Sequence, residues 1–223
     1  MEAFLLCFVF SFIFQASWKN LKRIKSELLI TVNSFSKYFS DWKIRLNESK
    51  TEFSIFTKST KMLKKMSDDV ISLNNQSFQW KNSIKYLGVW LDNKLLLKSH
   101  IDKSIAKASS VCFSTLYCLL KRNLYVPVES KLQIYRAFIR PILVYACPVF
   151  ANSSACYIQK LQVFQNKILR LALDINWFDF MSVDDIHVKS SIPLMTAFIS
   201  RLTEGFYAKI QFLQNDLISC LGQ

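Results

Sequence analysis

Glycine and proline are close to missing from this chain: its 223 residues include three glycines and four prolines. So few turn formers favour long helices over tight loops. The scarcity also removes whole classes of chemistry. A phosphate-cradling G-x-x-x-x-G-K-[ST] loop, a dinucleotide-binding G-x-G-x-x-G turn and a G-x-S-x-G nucleophile elbow all need glycines that are not there. Histidine is scarcer still, at two, and the six cysteines (Cys7, Cys112, Cys118, Cys147, Cys156 and Cys220) include no C-x-x-C pair. No zinc-ligand spacing can be assembled locally from such a set. Cys112 and Cys118, on one expected helix, point in different directions and do not bond each other. The thiols read as reduced and partly buried, in an intracellular protein of the nucleus or cytoplasm.

Long apolar runs are lacking as well. The run from Ala3 to Phe14 falls short of the roughly 20 residues a membrane-crossing helix needs. It has no basic start, and bulky Phe14 stands where a small residue should precede a cleavage site. Residues 1–16 therefore read as a hydrophobic strand in preference to a signal or anchor, which makes a membrane partner the weaker expectation. The last deficit is negative charge: 16 acidic residues face 29 basic ones, leaving +13 at pH 7. The excess runs through all three thirds of the chain, so no basic tail accounts for it. A field of that sign favours a polyanion, most simply nucleic acid, with anionic membrane as the rival.

The residues that are present divide the chain into a small α+β part, 17–93, and an all-α part, 94–223, with no flexible linker between them. Residues 17–43 predict a helix capped by Ser17, with Leu21, Ile24, Leu28, Thr31, Phe35, Tyr38 and Trp42 as its buried stripe. "EFSIFT" (52–57) reads as a strand with alternating faces and "TKMLKK" as a basic connector. "VISL" and "FQW" around Asn74-Asn75 form a hairpin, and "YLGVWL" a further strand with Gly88 in its middle. From Ser99 on, the pattern is helical. One helix runs to Lys121 and buries Ile101, Ile105, Ala108, Cys112, Leu116 and Leu119. Another runs from Pro127 to Ala146, kinked by Pro141. A third spans 154–173 with Ile158, Leu161, Gln165, Ile168 and Ala172 on one side. A short helix capped by Ser182 and a last one from Pro193 to Gln214 complete the chain.

Two acidic pairs invite a metal reading. Asp68-Asp69 sits in a polar connector, where a turn role suffices, and Asp184-Asp185 opens a helix, where carboxylates favour the positive dipole end. Both are read as structural, with no metal site. The basic residues are more telling. Lys103 and Lys107 share one helix face, and Lys160, Lys167 and Arg170 share another. Either set alone is a solvated face. Two such sets in a chain of this charge point to a phosphate-contacting groove.

The order of five segments carries a resemblance. "DWKIRLNESKTEFSIFT", "SIKYLGVWLD", "HIDKSIAKAS", "YRAFIRPILVYACPVF" and "IQKLQVFQNKILRL" together resemble the end of the palm, the thumb and the C-terminal extension of a jockey-like non-LTR retrotransposon reverse transcriptase. The family usually has Trp near Phe150, a mild departure. The resemblance implies that Lys50 stands where a palm lysine protonates departing pyrophosphate. It also implies that Tyr86, Leu87 and Gly88 correspond to the primer grip, with Lys98, Lys103, Lys107, Lys160, Lys167 and Arg170 on phosphates of the same RNA or DNA duplex, or of a single strand. Gly88 removes a Cβ where a backbone must come close to that strand.

The family also needs aspartates that hold two Mg²⁺ ions, and these should precede residue 17. "CFVFSFIFQAS" contains none, so the chain reads as truncated, its Lys50 idle and no cofactor bound in this chain. The palm and fingers would have to come from another chain. Without them, apolar palm surface would be exposed. The competing expectation is a membrane-associated or secreted helical protein led by its apolar N-terminus, with glycosylation acceptors at Asn47, Asn75 or Asn152.

Overall fold

The apolar N-terminal stretch forms paired strands, which satisfy its backbone hydrogen-bonding groups. In the computed structural model, which describes residues 3–9, 12–18, 21–43, 51–67, 70–73, 76–120, 126–176 and 178–212, strands β1 (Ala3–Val9) and β2 (Phe12–Trp18) form an antiparallel ladder from Ala3↔Trp18 to Val9↔Phe12. A later strand, β3 (Glu52–Phe56), pairs antiparallel with the other edge of β1, giving the order β2-β1-β3. Helix α1 (Leu21–Asp41) packs against β2. Then follow α2 (Thr60–Ser67), a hairpin of β4 (Val70–Leu73) with β5 (Gln76–Gln79), and a second hairpin of β6 (Ser83–Tyr86) with β7 (Val89–Asp92). This first compact unit covers Met1–Ser99, and the second, His100–Gln223, is helical. The fold class is α+β with a helical C-terminal region.

Several local expectations shift in the first unit. Ser17 belongs to β2, so α1 starts at Leu21 without it. Its buried residues are Leu28, Val32 and Phe39, while Thr31, Phe35, Tyr38 and Trp42 are exposed, Trp42 by 66%. The side chains of Leu21 and Ile24 lie outside the described residues. The apolar arc of α1 is wider than the strands beside it, and they cover the neighbouring ridge. "TKMLKK" is the body of α2 rather than a connector. Strand β3 does not alternate: Phe53, Ser54, Ile55 and Phe56 are all buried, because β3 packs on both faces. Phe53 meets Phe78 and Trp80 edge-on at 5.4 and 6.2 Å. The hairpin of β4 and β5 forms as expected, its Asn74-Asn75 turn lying outside the described residues.

The helical unit starts with α3 (Lys98–Ser110), one widened turn (Val111–Thr115) and α4 (Tyr117–Leu120). The widened turn closes with Leu116 N–H on the carbonyl of Val111, five residues back, at 3.1 Å. The extra residue rotates the stripe, so Leu120 is buried and Leu119 exposed. A second widened turn (Tyr135–Ile139) joins α5 (Val128–Ile134) to α6 (Arg140–Leu143). It lies directly before Pro141, whose ring and missing N–H cannot fit a regular turn. The expected kink takes this form. Next come α7 (Cys147–Phe150), α8 (Ala155–Ala172), α9 (Val183–Ser190) and α10 (Met195–Gln211).

Helix α8 is the axis of this unit, in contact with α5, α9 and α10. Ile158, Leu161, Gln165, Ile168 and Ala172 are all buried along it, as their spacing requires. Ser182 caps α9: its Oγ accepts from Asp185 N–H at 3.1 Å and donates to the Asp185 carboxylate at 2.7 Å, which gives that acidic residue its structural role. Buried Gln162 joins three helices. Its Oε1 accepts from Met195 N–H at 2.7 Å and its Nε2 donates to Asn166 Oδ1 at 2.7 Å. His187 Nδ1 donates to the Ile192 carbonyl, leaving Nε2 to accept from Gln162 at 2.9 Å.

One cation lies inside. Lys131 of α5 is fully buried, and its Nζ donates to both carboxylate oxygens of Asp174, at 2.7 and 2.9 Å. Asp174 sits just past the end of α8 at a φ of 56°. A buried ammonium without its counter-ion is far costlier than an intact pair. Asp174→Ala should therefore lower unfolding stability by about 3–5 kcal/mol. Lys131→Met, which leaves a partly solvated carboxylate, should cost much less in the same denaturant titration. Equal losses would contradict this account.

His100 adds a pH term. It is 2% exposed, and its ring meets those of Tyr145 and Phe150 at tilted angles, with centroids 6.5 and 5.5 Å away. Nε2 donates to the Tyr145 carbonyl at 3.1 Å, while Nδ1 is buried without a partner. Burial holds its pKa below the ordinary 6.5, with the Tyr145 carbonyl opposing the shift. The unfolded chain thus takes up a proton first as pH falls. Stability should be unaffected by this group above about 6.5 and decline below it until the folded imidazole also titrates. In an H100Q variant that part of the slope should vanish.

Candidate nucleic-acid interface

The β6–β7 hairpin is built by two residues that most side chains avoid. Tyr86 pairs with Val89, so Leu87 and Gly88 alone make the turn, at φ of 44° and 84°. Positive φ at both central positions is the mark of a type I′ turn, whose twist matches the strands. Gly88 is therefore the turn residue, not a mid-strand one. It serves backbone geometry first, and any close approach to a ligand happens at a tip, where the chain is open. Leu87 is costlier, since a leucine at such φ is strained by about 1–2 kcal/mol. It is also 73% exposed. Tyr86 is half-buried and Lys85 is exposed on the same strand.

The base of the hairpin is clamped to β3. Lys81 N–H donates to the Phe53 carbonyl at 2.9 Å, Thr57 N–H to the Asn93 carbonyl at 2.9 Å, and Ser54 Oγ to the Lys81 carbonyl at 3.0 Å. The Asp92 carboxylate then accepts from the N–H groups of Leu97 and Leu96 at 2.7 and 3.1 Å. The tip is thus a rigid projection with an apolar, strained end.

In the helical unit the cations fall into two kinds. Lys103 and Lys107 are exposed four residues apart on α3, and Lys98 is exposed at its start. Lys160 of α8 bonds Asp102 of α3 at 2.6 Å, so it ties the two helices together. That hydrogen bond to Asp102 holds its ammonium above the ordinary value. Between α3 and α8 runs a cleft of about 410 Å³, lined by Asp102, Ile105, Lys160, Val163, Phe164 and Lys167. Neither Lys103 nor Lys107 lines it. Arg170 is half-buried and donates to the Met181 carbonyl at 2.6 Å, holding the loop that follows α8. Lys167 is exposed and lines both this cleft and a second one of about 500 Å³ at the end of α8. The expected α8 trio is therefore aligned on one helix, with Lys160 and Arg170 also serving the fold. Lys50 lies outside the described residues, as do Asp68 and Asp69.

Local reasoning missed three groups of residues. Phe178 and Phe180 line the second cleft beside Lys167 and Arg170. The signal was "FDF", aromatic residues in a stretch with no periodicity to bury them. Arg140 and Arg201, from α6 and α10, both lie over the Phe198 ring, at 4.3 and 5.2 Å from its centroid. Burial lowers the Arg140 pKa, and the charges of Arg136 and Arg201 add to that effect. Lys131, the buried one, carries no local signal at all.

Metal ligation is a separate question. Among the described residues, no three His, Cys, Asp or Glu side chains stand close enough to share an ion. These residues do not fit the two Mg²⁺ ions that the resemblance implies.

No family model and no solved structure matches the chain. Curated proteins do. The chain is 26% identical over 191 residues to the probable RNA-directed DNA polymerase from transposon X-element of Drosophila melanogaster, covering 85% of this chain and 20% of that protein. It is 24% identical over 204 residues to the RNA-directed DNA polymerase from mobile element jockey of the same species, covering 92% and 21%. Against the jockey polymerase of Drosophila funebris it is 23% identical over 191 residues, covering 86% and 20%. The likeness to jockey-type polymerases read from five segments thus extends over most of the chain. The chain spans about a fifth of the length of these relatives.

The strained tip yields a test. Leu87→Asn should relieve the turn and raise stability by about 0.5–1 kcal/mol, since Asn tolerates positive φ. Thermal unfolding of the variant reads this directly. A drop in midpoint would mean that Leu87 makes contacts the turn geometry does not account for.

Proposed function

We propose that this chain is the duplex-holding part of a jockey-type RNA-directed DNA polymerase, gripping the sugar–phosphate backbone of a primer–template without reading its sequence. One observation carries the reading: Lys160 and Lys167 line a single cleft between α3 and α8, two helices joined by the Lys160–Asp102 pair, in a chain similar to three such polymerases. Lysine is a point charge on a flexible stem, suited to contacting a backbone of any sequence. From residue 160 to 170 helix α8 rises about 15 Å. That length matches roughly four phosphate intervals at about 3.4 Å per strand. Lys98, Lys103 and Lys107 add charge along α3. In the first unit, taken by itself, Tyr86, Leu87 and Gly88 form a blunt tip that the resemblance assigns to the end of a growing strand.

By itself the chain would not polymerise. Residues 1–16 contain no aspartate, and among the described residues no cluster of carboxylates, His or Cys could hold the metal ions that activate the attacking 3′ hydroxyl. Lys50 could protonate a leaving pyrophosphate only beside a palm and fingers that these 223 residues do not themselves include. Such a protein would act where nucleic acid is, in the nucleus or cytoplasm. The rival reading, a protein led into a membrane by its first residues, has less support. Those residues lie in a paired sheet, and among the described residues no helix is long and apolar enough to cross a membrane.

Binding of a fluorescein-labelled RNA–DNA hybrid at increasing salt tests the proposal. Log affinity should fall linearly with log salt, by about 0.7–0.9 for each phosphate contacted. Replacing Lys103, Lys107 and Lys167 together by Gln should flatten the slope by up to about 2–3. An affinity indifferent to salt would sink the reading. Template-dependent synthesis by the chain alone, with Mg²⁺ or Mn²⁺, would sink its second half.

A further inference from the structure

The end of α8 carries a feature that backbone gripping does not need. The second cleft is lined by Lys167 and Arg170 on the helix and by Phe178, Phe180 and Met181 on the loop that follows. Phe180 is 99% exposed and Phe178 68%. Burying one phenylalanine side chain is worth about 1.5–3 kcal/mol, and neither ring takes that gain in full. The loop that presents them is nonetheless well tied. Ile175 N–H donates to the Arg170 carbonyl at 3.0 Å, Asp179 N–H to the Asn176 carbonyl at 3.1 Å, and Arg170 to the Met181 carbonyl. Asn176 N–H in turn donates to an Asp179 carboxylate oxygen at 3.2 Å, which engages the one acidic group of the cleft within the loop. The fully exposed Phe180 ring beside two cations matches the chemistry of an unpaired nucleotide: a base to stack and a phosphate to pair. A base already stacked inside a duplex offers no free face to this ring.

We infer that the cleft at the C-terminal end of α8 is a stacking site for an unpaired base, taking the single strand that leaves the duplex held along α8. The inference rests on the duplex-holding reading and extends it. Lys167 lines both clefts, so one strand passing from the first to the second keeps a cation beside it throughout. Phe180 receives a base, while Lys167 and Arg170 meet its phosphate. Stacking of this kind is indifferent to base identity, since every base has a π face.

The test uses the full chain and two fluorescein-labelled RNA–DNA hybrids, one blunt and one with a single-stranded overhang. Wild type should bind the overhang form more tightly. Phe180→Ala should weaken the overhang form by roughly five- to a hundredfold, leave the blunt form unchanged and leave the thermal midpoint unchanged. Phe180→Trp should restore the preference, and Phe180→Leu should not. If Phe180→Ala leaves the overhang preference intact while the Lys103/Lys107/Lys167 replacement weakens both forms, the stacking site is wrong and the duplex-holding reading stands. If wild type binds neither hybrid, both fall together.

Discussion

The helical unit depends on a charge that cannot reach water. Lys131 brings an ammonium into the core from α5, and the Asp174 carboxylate just beyond α8 compensates it with two short hydrogen bonds. The pair fixes more than a contact. It fixes where α8 stops, because Asp174 must sit in a left-handed conformation to present its carboxylate inward. The loop bearing Phe178 and Phe180 leaves from that point. A pair of this kind contributes little net stability compared with apolar replacements, yet it penalises every arrangement that separates its members. Its effect is to set a register.

The same helix is pinned along its length by polar groups that a purely apolar core would lack. Gln162 reaches the start of α10 through Met195 and reaches α9 through His187. Gln165 donates to the Pro193 carbonyl at 3.2 Å. On the other side, Lys160 reaches α3 through Asp102. These bonds orient α8 as well as burying it. What stays open on its surface is a line of cationic and aromatic side chains beside two clefts. A chain of +13 has basic residues to spare for such a surface, even though some of its best-placed cations also serve the fold.

In the first unit the corresponding constraint is backbone geometry. Two residues turn the β6–β7 hairpin, and the loop after it is held by the Asp92 carboxylate because Leu95 and Leu97 also adopt positive φ. Strain of this sort persists where the surroundings over-determine it. The clamp of the hairpin base to β3 supplies that surrounding. Phe35 and Tyr38 of α1, and Trp42 just after it, are exposed aromatic residues on one side of this helix.

Local chemistry was legible in the residues themselves. The buried side of α8, the Ser182 cap, the β4–β5 hairpin and the likeness to jockey-type polymerases all follow from spacing, turn residues and segment order. Such rules act between residues a few positions apart, and there they hold. Tertiary structure alone decided which ridge of α1 is buried, that Gly88 turns a hairpin, and that a widened turn exchanges Leu119 for Leu120. It also decided which cations are committed to the fold. Lys131 and Asp174 are 43 positions apart and Asp102 and Lys160 are 58 apart. Charge compensation over such separations depends on how helices pack. No periodicity within one helix can report on a partner that another helix supplies.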